Sequence, residues 1–260
     1  MGAQPPLGPE ELSAPPLSGD DFLALLDEQF RAKCPEPPAF LQALYDGQLS
    51  QEHLQTWVKD HYLYWDEALV YSTTAIFIKT NDEPTRTHML RRLVDIEGED
   101  VVGDLSGSDT PSWEELWLWF GTGVGLSPSE AQEWQQFTRT YFAIQTLRTY
   151  SRYWDWTWLD GVATFYASDL YGKEFLGRAH AALRDRYGLP DHALEFFRVY
   201  LGDVDSHIPW EREALAYWCC TTERQITAAR AFRERLDIEQ QLLVGLEQTC
   251  LRGEPAFQVP

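Results

Sequence analysis

Apolar positions in this chain recur every three to four residues rather than every two, which predicts helices along its length and no alternating strands. The run DFLALLDEQFRAKC predicts a first helix starting near Asp20. Glu36, Pro37 and Pro38 interrupt it before a short second segment, PAFLQALYDG. Ser50 and His53 have capping-box spacing without the ideal acid, and they lead into LQTWVKDHYLYWDEALVYSTTAIF, apolar or aromatic on more than one side and expected to be a central helix. Asp82, Glu83 and Pro84 restart the chain as a helix with Leu90, Leu93, Val94 and Ile96 inward, expected to run to about Val102. GDLSGSDTPS reads as a loop before WEELWLWFGTGVG, and Ser127 to Glu130 opens the next helix with a full capping spacing. An aromatic stretch runs from Trp134 to Trp158, with Leu159, Asp160 and Gly161 either breaking it or tolerated in a bend. A helix over 161–186 is stopped by Tyr187, Gly188, Leu189 and Pro190. Asp191 then caps a run to Cys220, and a last helix spans about Thr222 to Leu251.

The expected fold class is therefore all-α, one bundle of about seven to nine helices. Residues 19–260 form a single domain, and residues 1–18, rich in Pro, Gly and Ser, form a flexible N-terminal arm.

Composition narrows the partners. With 260 residues, 11 Trp, 12 Tyr and 13 Phe, the chain has ample material for a core. A formal charge of -20 repels nucleic acid and anionic membranes unless a basic patch compensates. None is evident: Arg224, Arg230, Arg233 and Arg235 alternate with Glu234, Asp237 and Glu239 and read as a solvated helix face. No apolar stretch reaches the roughly 18 residues that a span needs, and the N-terminus lacks a basic head with an apolar segment, so a cytoplasmic location is expected. Cys34, Cys219, Cys220 and Cys250 match neither a disulfide framework nor a zinc pattern, and Cys219 and Cys220 are expected on different sides of a helix. The tryptophans allow a homodimer interface.

Candidate chemistry lies in four places. Glu97, Asp100 and Asp104 share a face if their helix persists past Gly98, and hard oxygen donors or an acid/base pair would result. Asp169, a lone acid beside Tyr166 among aromatics, is paired or working if buried. Tyr200, Asp203 and His207 repeat the zero, three, seven spacing, with Asp205 off that face, and a His among carboxylates suits a non-haem metal or proton transfer. Asp60, Tyr64 and Glu67 share one face of the central helix and could line a cavity. His53, His88, His180 and His192 read as structural.

These segments together resemble the TenA/PqqC-like group, whose fold is haem-oxygenase-like and all-helical. The resemblance rests on DFLALLDEQF, YDGQLSQEHLQTWVKDHYLYWDEAL, LRRLVDIEGED, WEELWLWFGTGVGLSPSEA, the Tyr166 to Asp169 region and FFRVYLGDVDSHIPW, and it covers most of residues 19 to 250. The thiamin-salvage hydrolases of that group have an Asp where Asp60 stands, followed by tyrosines similar to Tyr62 and Tyr64. They also need a nucleophilic Cys near TLRTYSRYW, and no cysteine lies between Cys34 and Cys219. The di-iron branch implies ligands at Glu97, near Asp104 and Asp169, and near Tyr200, Asp203 or Val204, and His207. Only Glu97 and His207 keep that branch's residue type.

The cofactor-independent quinone-biosynthesis branch implies an aromatic cavity for an anionic, electron-rich substrate, with Arg92, Arg148, Arg152 and Arg198 available to neutralise it. The leading expectation is an oxidase or oxygenase acting on a small metabolite. Asp60, Tyr64 and His207 would be catalytic, and Glu97, Asp104, Asp169, Asp203 and His207 would hold non-haem Fe or Mn. Without a metal, O2 would be co-substrate and His207 the base. The alternatives are a non-catalytic small-molecule-binding protein on this scaffold and a hydrolase lacking the usual cysteine.

Overall fold

The computed structural model describes residue 12 and residues 15–98, 111–152, 156–255 and 257–258, with the side chains of residues 150–152 outside the description. Among them the chain is helical throughout, with one isolated bridge between Phe137 and Gln258. The helices are α1 (Gly19–Lys33), α2 (Ala39–Tyr45), α3 (Gln51–Leu63), α4 (Leu69–Lys79), α5 (Glu83–Glu97), α6 (Trp113–Gly123), α7 (Pro128–Gln132), α8 (Thr138–Arg152), α9 (Trp158–Asp185), α10 (Glu195–Trp218) and α11 (Thr222–Leu246). They exceed the expected seven to nine because short helices such as α7 count separately, and because a π-helical turn, Tyr64–Ala68, divides α3 from α4.

Local signals place most boundaries. Ser18 caps α1, and Ser50 and His53 close a reciprocal capping box on α3 even though His53 replaces the usual acid. Ser127 with Glu130 and Thr157 with Asp160 make the same box on α7 and α9. The break in the aromatic stretch thus precedes Trp158, and Gly161 lies inside α9.

Two expectations about α5 do not hold. Gly98 takes a φ of 76°, a left-handed conformation that ends the helix at Glu97 rather than near Val102. The single face proposed for Glu97, Asp100 and Asp104 therefore has no continuous helix, and Asp100 and Asp104 lie outside the described residues. Leu90, expected inward, is 50% exposed.

Burial is deepest on α9, where every residue from Leu159 to Asp169 is buried. That helix takes the axial place in the bundle, packed by α10 and α11 and flanked by α4 and α2, while α3 packs on α6, α7 and α11. Trp57, Trp117, Phe120, Phe196 and Phe197 meet edge-to-face or tilted and fill one end of the core.

Candidate functional site

A cavity of about 40 Å³ lies between α3, α9, α10 and α11, walled mostly by aromatic and aliphatic side chains such as Trp57, Trp65, Tyr200 and Leu242. One pole is polar. The Tyr64 hydroxyl donates to Glu239 Oε1 at 3.1 Å, the Ser168 hydroxyl donates to the same oxygen at 2.8 Å, and Arg235 Nε donates to it at 2.9 Å. Arg235 also donates to the Tyr64 and Ser168 oxygens. Burial holds the Tyr64 phenol well above its ordinary range, so it stays protonated and remains a donor.

The rest of the lining carries unpaired polar atoms. Among the described residues, Trp57 Nε1, His61 Nδ1, Trp65 Nε1 and the Tyr171 hydroxyl are buried without a hydrogen-bond partner, and all four residues border this cavity. Burial pushes His61 down to about 3, which keeps its imidazole neutral. Buried polar groups in folded proteins are paired, and each orphan costs roughly 1–3 kcal/mol. Four such groups border this one small chamber.

The π-turn supplies part of this wall. It adds a residue to the helical turn at Tyr64 and Trp65, both of which face the cavity. The same change of register overturns the common face of Asp60, Tyr64 and Glu67, since Glu67 turns outward to pair with Arg148. Asp60 is fully buried, but its oxygens accept from the Phe137 backbone N–H at 2.7 Å and from the Thr140 hydroxyl at 2.5 Å. It anchors the start of α8 and is not part of the lining; burial raises it to about 7 against those bonds.

The other candidates separate into a buried ion cluster and a surface groove. Asp169, expected to be paired or working, is paired: Arg92 holds both of its oxygens, at 2.9 and 2.7 Å, and reaches Glu211 at 2.8 Å. These three side chains are about 1% exposed, with the Arg92 guanidinium 3.9 Å from the Phe165 ring centre. Burial and the neighbouring Asp169 carboxylate raise Glu211 well above the usual carboxylate range. Asp203 accepts from Trp113 Nε1 at 3.0 Å and is raised to about 7 by burial and by Asp95.

Glu97 and His207 border a groove of about 1040 Å³ between α5 and α10. There His207 Nδ1 meets His88 Nε2 at 3.1 Å, and His207 Nε2 stands 3.1 Å from Asp95 Oδ2. Burial lowers His88 to about 3 and lowers His207 as well. Arg198 pairs with Glu195 at the surface, and the Arg152 side chain lies outside the described residues.

A non-haem Fe or Mn centre does not fit these donors as the resemblance implies them. A metal at Asp169 would need lone pairs that a permanent guanidinium cation already holds, and Asp203 faces an indole. No group of three or more His, Cys, Asp or Glu side chains able to hold a metal exists among the described residues. Thiol chemistry is equally unsupported at the cavity, because no cysteine lines it and burial raises Cys34 and Cys250 to about 11 and Cys219 to about 12. Cys219 is buried and Cys220 exposed, in the turn after α10 rather than within a helix.

Several site residues escaped the sequence reading. Arg235 and Glu239, assigned to a solvated face, are buried and form the polar pole. Their signal was present: Ala228, Phe232, Arg235, Glu239, Leu242 and Leu246 make one helical stripe that is otherwise apolar. Glu211 sits likewise in the stripe of Tyr200, Val204 and His207. His88, read as structural, is the partner of His207.

With this geometry in hand, comparison with known proteins finds that residues 36–192 match the TENA/THI-4/PQQC family. The chain belongs to that family. A 4-aminobenzoate synthase of Chlamydia pneumoniae is 23% identical over 195 residues, covering 75% of this chain and 81% of the relative. A pyrroloquinoline-quinone synthase of Pseudomonas entomophila is 22% identical over 217 residues, covering 83% and 82%. A solved domain of unknown function with a haem-oxygenase-like fold, from Shewanella denitrificans, superposes with a TM-score of 0.66 at 14% identity over 92% of this chain and 96% of its own. The all-helical TENA/THI-4/PQQC fold expected from sequence is therefore the fold of this chain. No helix of the described residues is long and apolar enough to cross a membrane.

Proposed function

We propose that this family member is an oxidase that passes electrons from a small, electron-rich cyclic metabolite directly to O2 at the Tyr64–Glu239 cavity. The observation that carries the reading is the set of four unpaired polar groups, on Trp57, His61, Trp65 and Tyr171, around a chamber with a single charged pole. Its supporting context is the pair of relatives named for aromatic and quinone products. The substrate loses two electrons and two protons, and O2 takes all four to become hydrogen peroxide. Tyr64 turns its hydroxyl from Glu239 to the reacting oxygen, while His61 binds the substrate as a neutral ring. Arg235, behind the wall, is a positioning residue that acts through Tyr64 and Glu239.

A volume of 40 Å³ accommodates dioxygen or a few waters, whereas pockets for whole metabolites measure roughly 300 Å³ or more. Substrate entry therefore displaces part of the aromatic lining.

An oxygen electrode with a peroxide assay, run over amino- and hydroxy-substituted aromatic acids, tests the reading. Turnover is expected in wild type, with a roughly 100-fold loss in Tyr64→Phe and near-native folding by circular dichroism. Unchanged turnover in Tyr64→Phe sinks the assignment to this cavity. Stoichiometric binding without oxygen uptake moves the protein to the non-catalytic alternative.

A further inference from the structure

We propose that Phe257 and Gln258 form a releasable strap that keeps two walls of the Tyr64 cavity together, and that release of the strap is the step that lets those walls part for a guest. The inference rests on that cavity being the functional site and does not depend on the oxidase chemistry.

The way the strap is held is the first argument. The chain turns back at Gly253, whose φ of 64° is left-handed, with the Glu254 N–H donating to the Gln248 carbonyl at 3.0 Å. Phe257 and Gln258 lie against the linker between α7 and α8. The Phe257 carbonyl accepts from the Thr138 backbone N–H at 2.7 Å and from the Thr138 hydroxyl at 2.8 Å. Gln258 Nε2 donates to the Gln135 carbonyl at 2.8 Å, and Gln258 pairs with Phe137 in the isolated bridge. No apolar side chain anchors these two residues, since the Phe257 ring is 81% exposed and Gln258 is exposed. A contact made of a few hydrogen bonds at the surface opens far more readily than a packed element.

What the linker holds is the second argument. Phe137 and Thr140 are buried, and each reaches both α3 and α11. On α3 they hold Asp60, the Phe137 N–H on one oxygen and the Thr140 hydroxyl on the other. On α11 the Thr140 hydroxyl stands 3.3 Å from the Leu242 carbonyl, and the Phe137 ring lies so close to Gly245 that a Cβ there would be 2.6 Å from it. Asp60 sits among Trp57, His61 and Tyr64 on α3, and the α11 side carries Glu239, Leu242 and Leu243. All six of these neighbours border the cavity.

The strap's bonds fall on the residue between these two bridges. Thr138 is the first residue of α8, where a backbone N–H has no partner within its own helix, and the Phe257 carbonyl supplies one. Release of the strap frees the start of α8 and loosens the tie between α3 and α11. A cavity of about 40 Å³ gains room for a metabolite when those two helices part.

Amide hydrogen exchange of the ligand-free full chain, read by mass spectrometry with circular dichroism as the fold control, tests the strap whether or not the chain consumes O2. Thr138→Pro removes both bonds to Phe257 at a first helical position, where proline is tolerated. Two such bonds correspond to roughly a 5- to 150-fold change in an opening equilibrium, so exchange over residues 57–64 and 239–246 should rise by about 5-fold or more. Thr138→Val keeps the N–H and should raise it about 3-fold. Thr138→Ser, which keeps both donors, and Phe257→Ala, which removes only an exposed ring, should exchange as wild type does. Acceleration confined to residues 135–141, or spread equally over α1 and α6, overturns the proposal, as does wild-type exchange in Thr138→Pro.

Discussion

Replacing Arg92 by Met removes the cation of a fully buried cluster while keeping most of the side-chain volume. The structure sets the loss at two bonds to Asp169, one to Glu211 and the face contact with Phe165. Charge-assisted bonds contribute roughly 1.5–3 kcal/mol each, so three would sum to about 4.5–9 kcal/mol, comparable with the whole stability of a domain. Burial and the Asp169 carboxylate already raise Glu211 well above the usual carboxylate range, however, so the net loss is set by an uncompensated buried acid, about 3–5 kcal/mol. For a chain of this length that corresponds to a fall in Tm of roughly 6–20 °C.

The sign with pH follows from the carboxylates. Glu211 is raised in the fold and loses its one cation without Arg92, so its folded pKa lies above the unfolded one, and stability is retained at low pH and lost as pH rises through the unfolded value. The variant should therefore recover part of its deficit on going from about pH 8 to about pH 5. Urea unfolding followed by circular dichroism measures both effects. The triple variant Arg92→Met, Asp169→Leu, Glu211→Met should recover most of the loss, since apolar replacements of buried ion clusters are often neutral or stabilising. A single-variant cost below about 1 kcal/mol, or a triple variant no more stable than the single, would refute the reasoning.

Two further outcomes can be checked on stability alone. Asp203→Asn keeps an acceptor for Trp113 and removes an acid whose folded pKa is raised to about 7 from 3.8. The protonated form is favoured in the fold, so the wild-type penalty is absent below the unfolded value and complete above about 7. The variant should be more stable by about 1 kcal/mol at pH 8, after discounting for partial exposure, and equal to wild type near pH 3 in chemical denaturation. Gly172→Ala places a Cβ in steric overlap with the Tyr200 hydroxyl on the cavity wall. It should cost about 1–3 kcal/mol and displace that ring, and an unchanged Tm together with an unchanged tyrosine environment by NMR would count against Tyr200 standing in that wall.

The sequence reading carried the fold further than it carried the site. Capping at Ser50 and Ser127 was readable because an N-cap needs only a local side chain and its own helix. The stop at Gly188 and Pro190 was equally local. Spacing arguments failed where the helix departed from 3.6 residues per turn or ended: the π-turn at Tyr64 moved Glu67 outward, and Gly98 ended α5 before Asp100.

Polar residues on α11 show the remaining difficulty. Arg224, Arg230, Arg233 and Arg235 look alike in the sequence, yet only Arg235 is buried, because it faces Tyr64 at the end of α3 and Ser168 on α9. Asp169 was legible as an acid that needed a partner, but not as one held by Arg92 from α5. His88 had no local signal at all.

By itself the sequence determined the helical class, the order and caps of the helices, and the aromatic content of the core, all of which depend on interactions within a few residues. Only the tertiary structure decided which charges meet. It paired Arg92 with Asp169 and Glu211, Arg235 with Glu239, and His88 with His207, since burial and cross-helix distance arise only when α3, α5, α9, α10 and α11 are packed together.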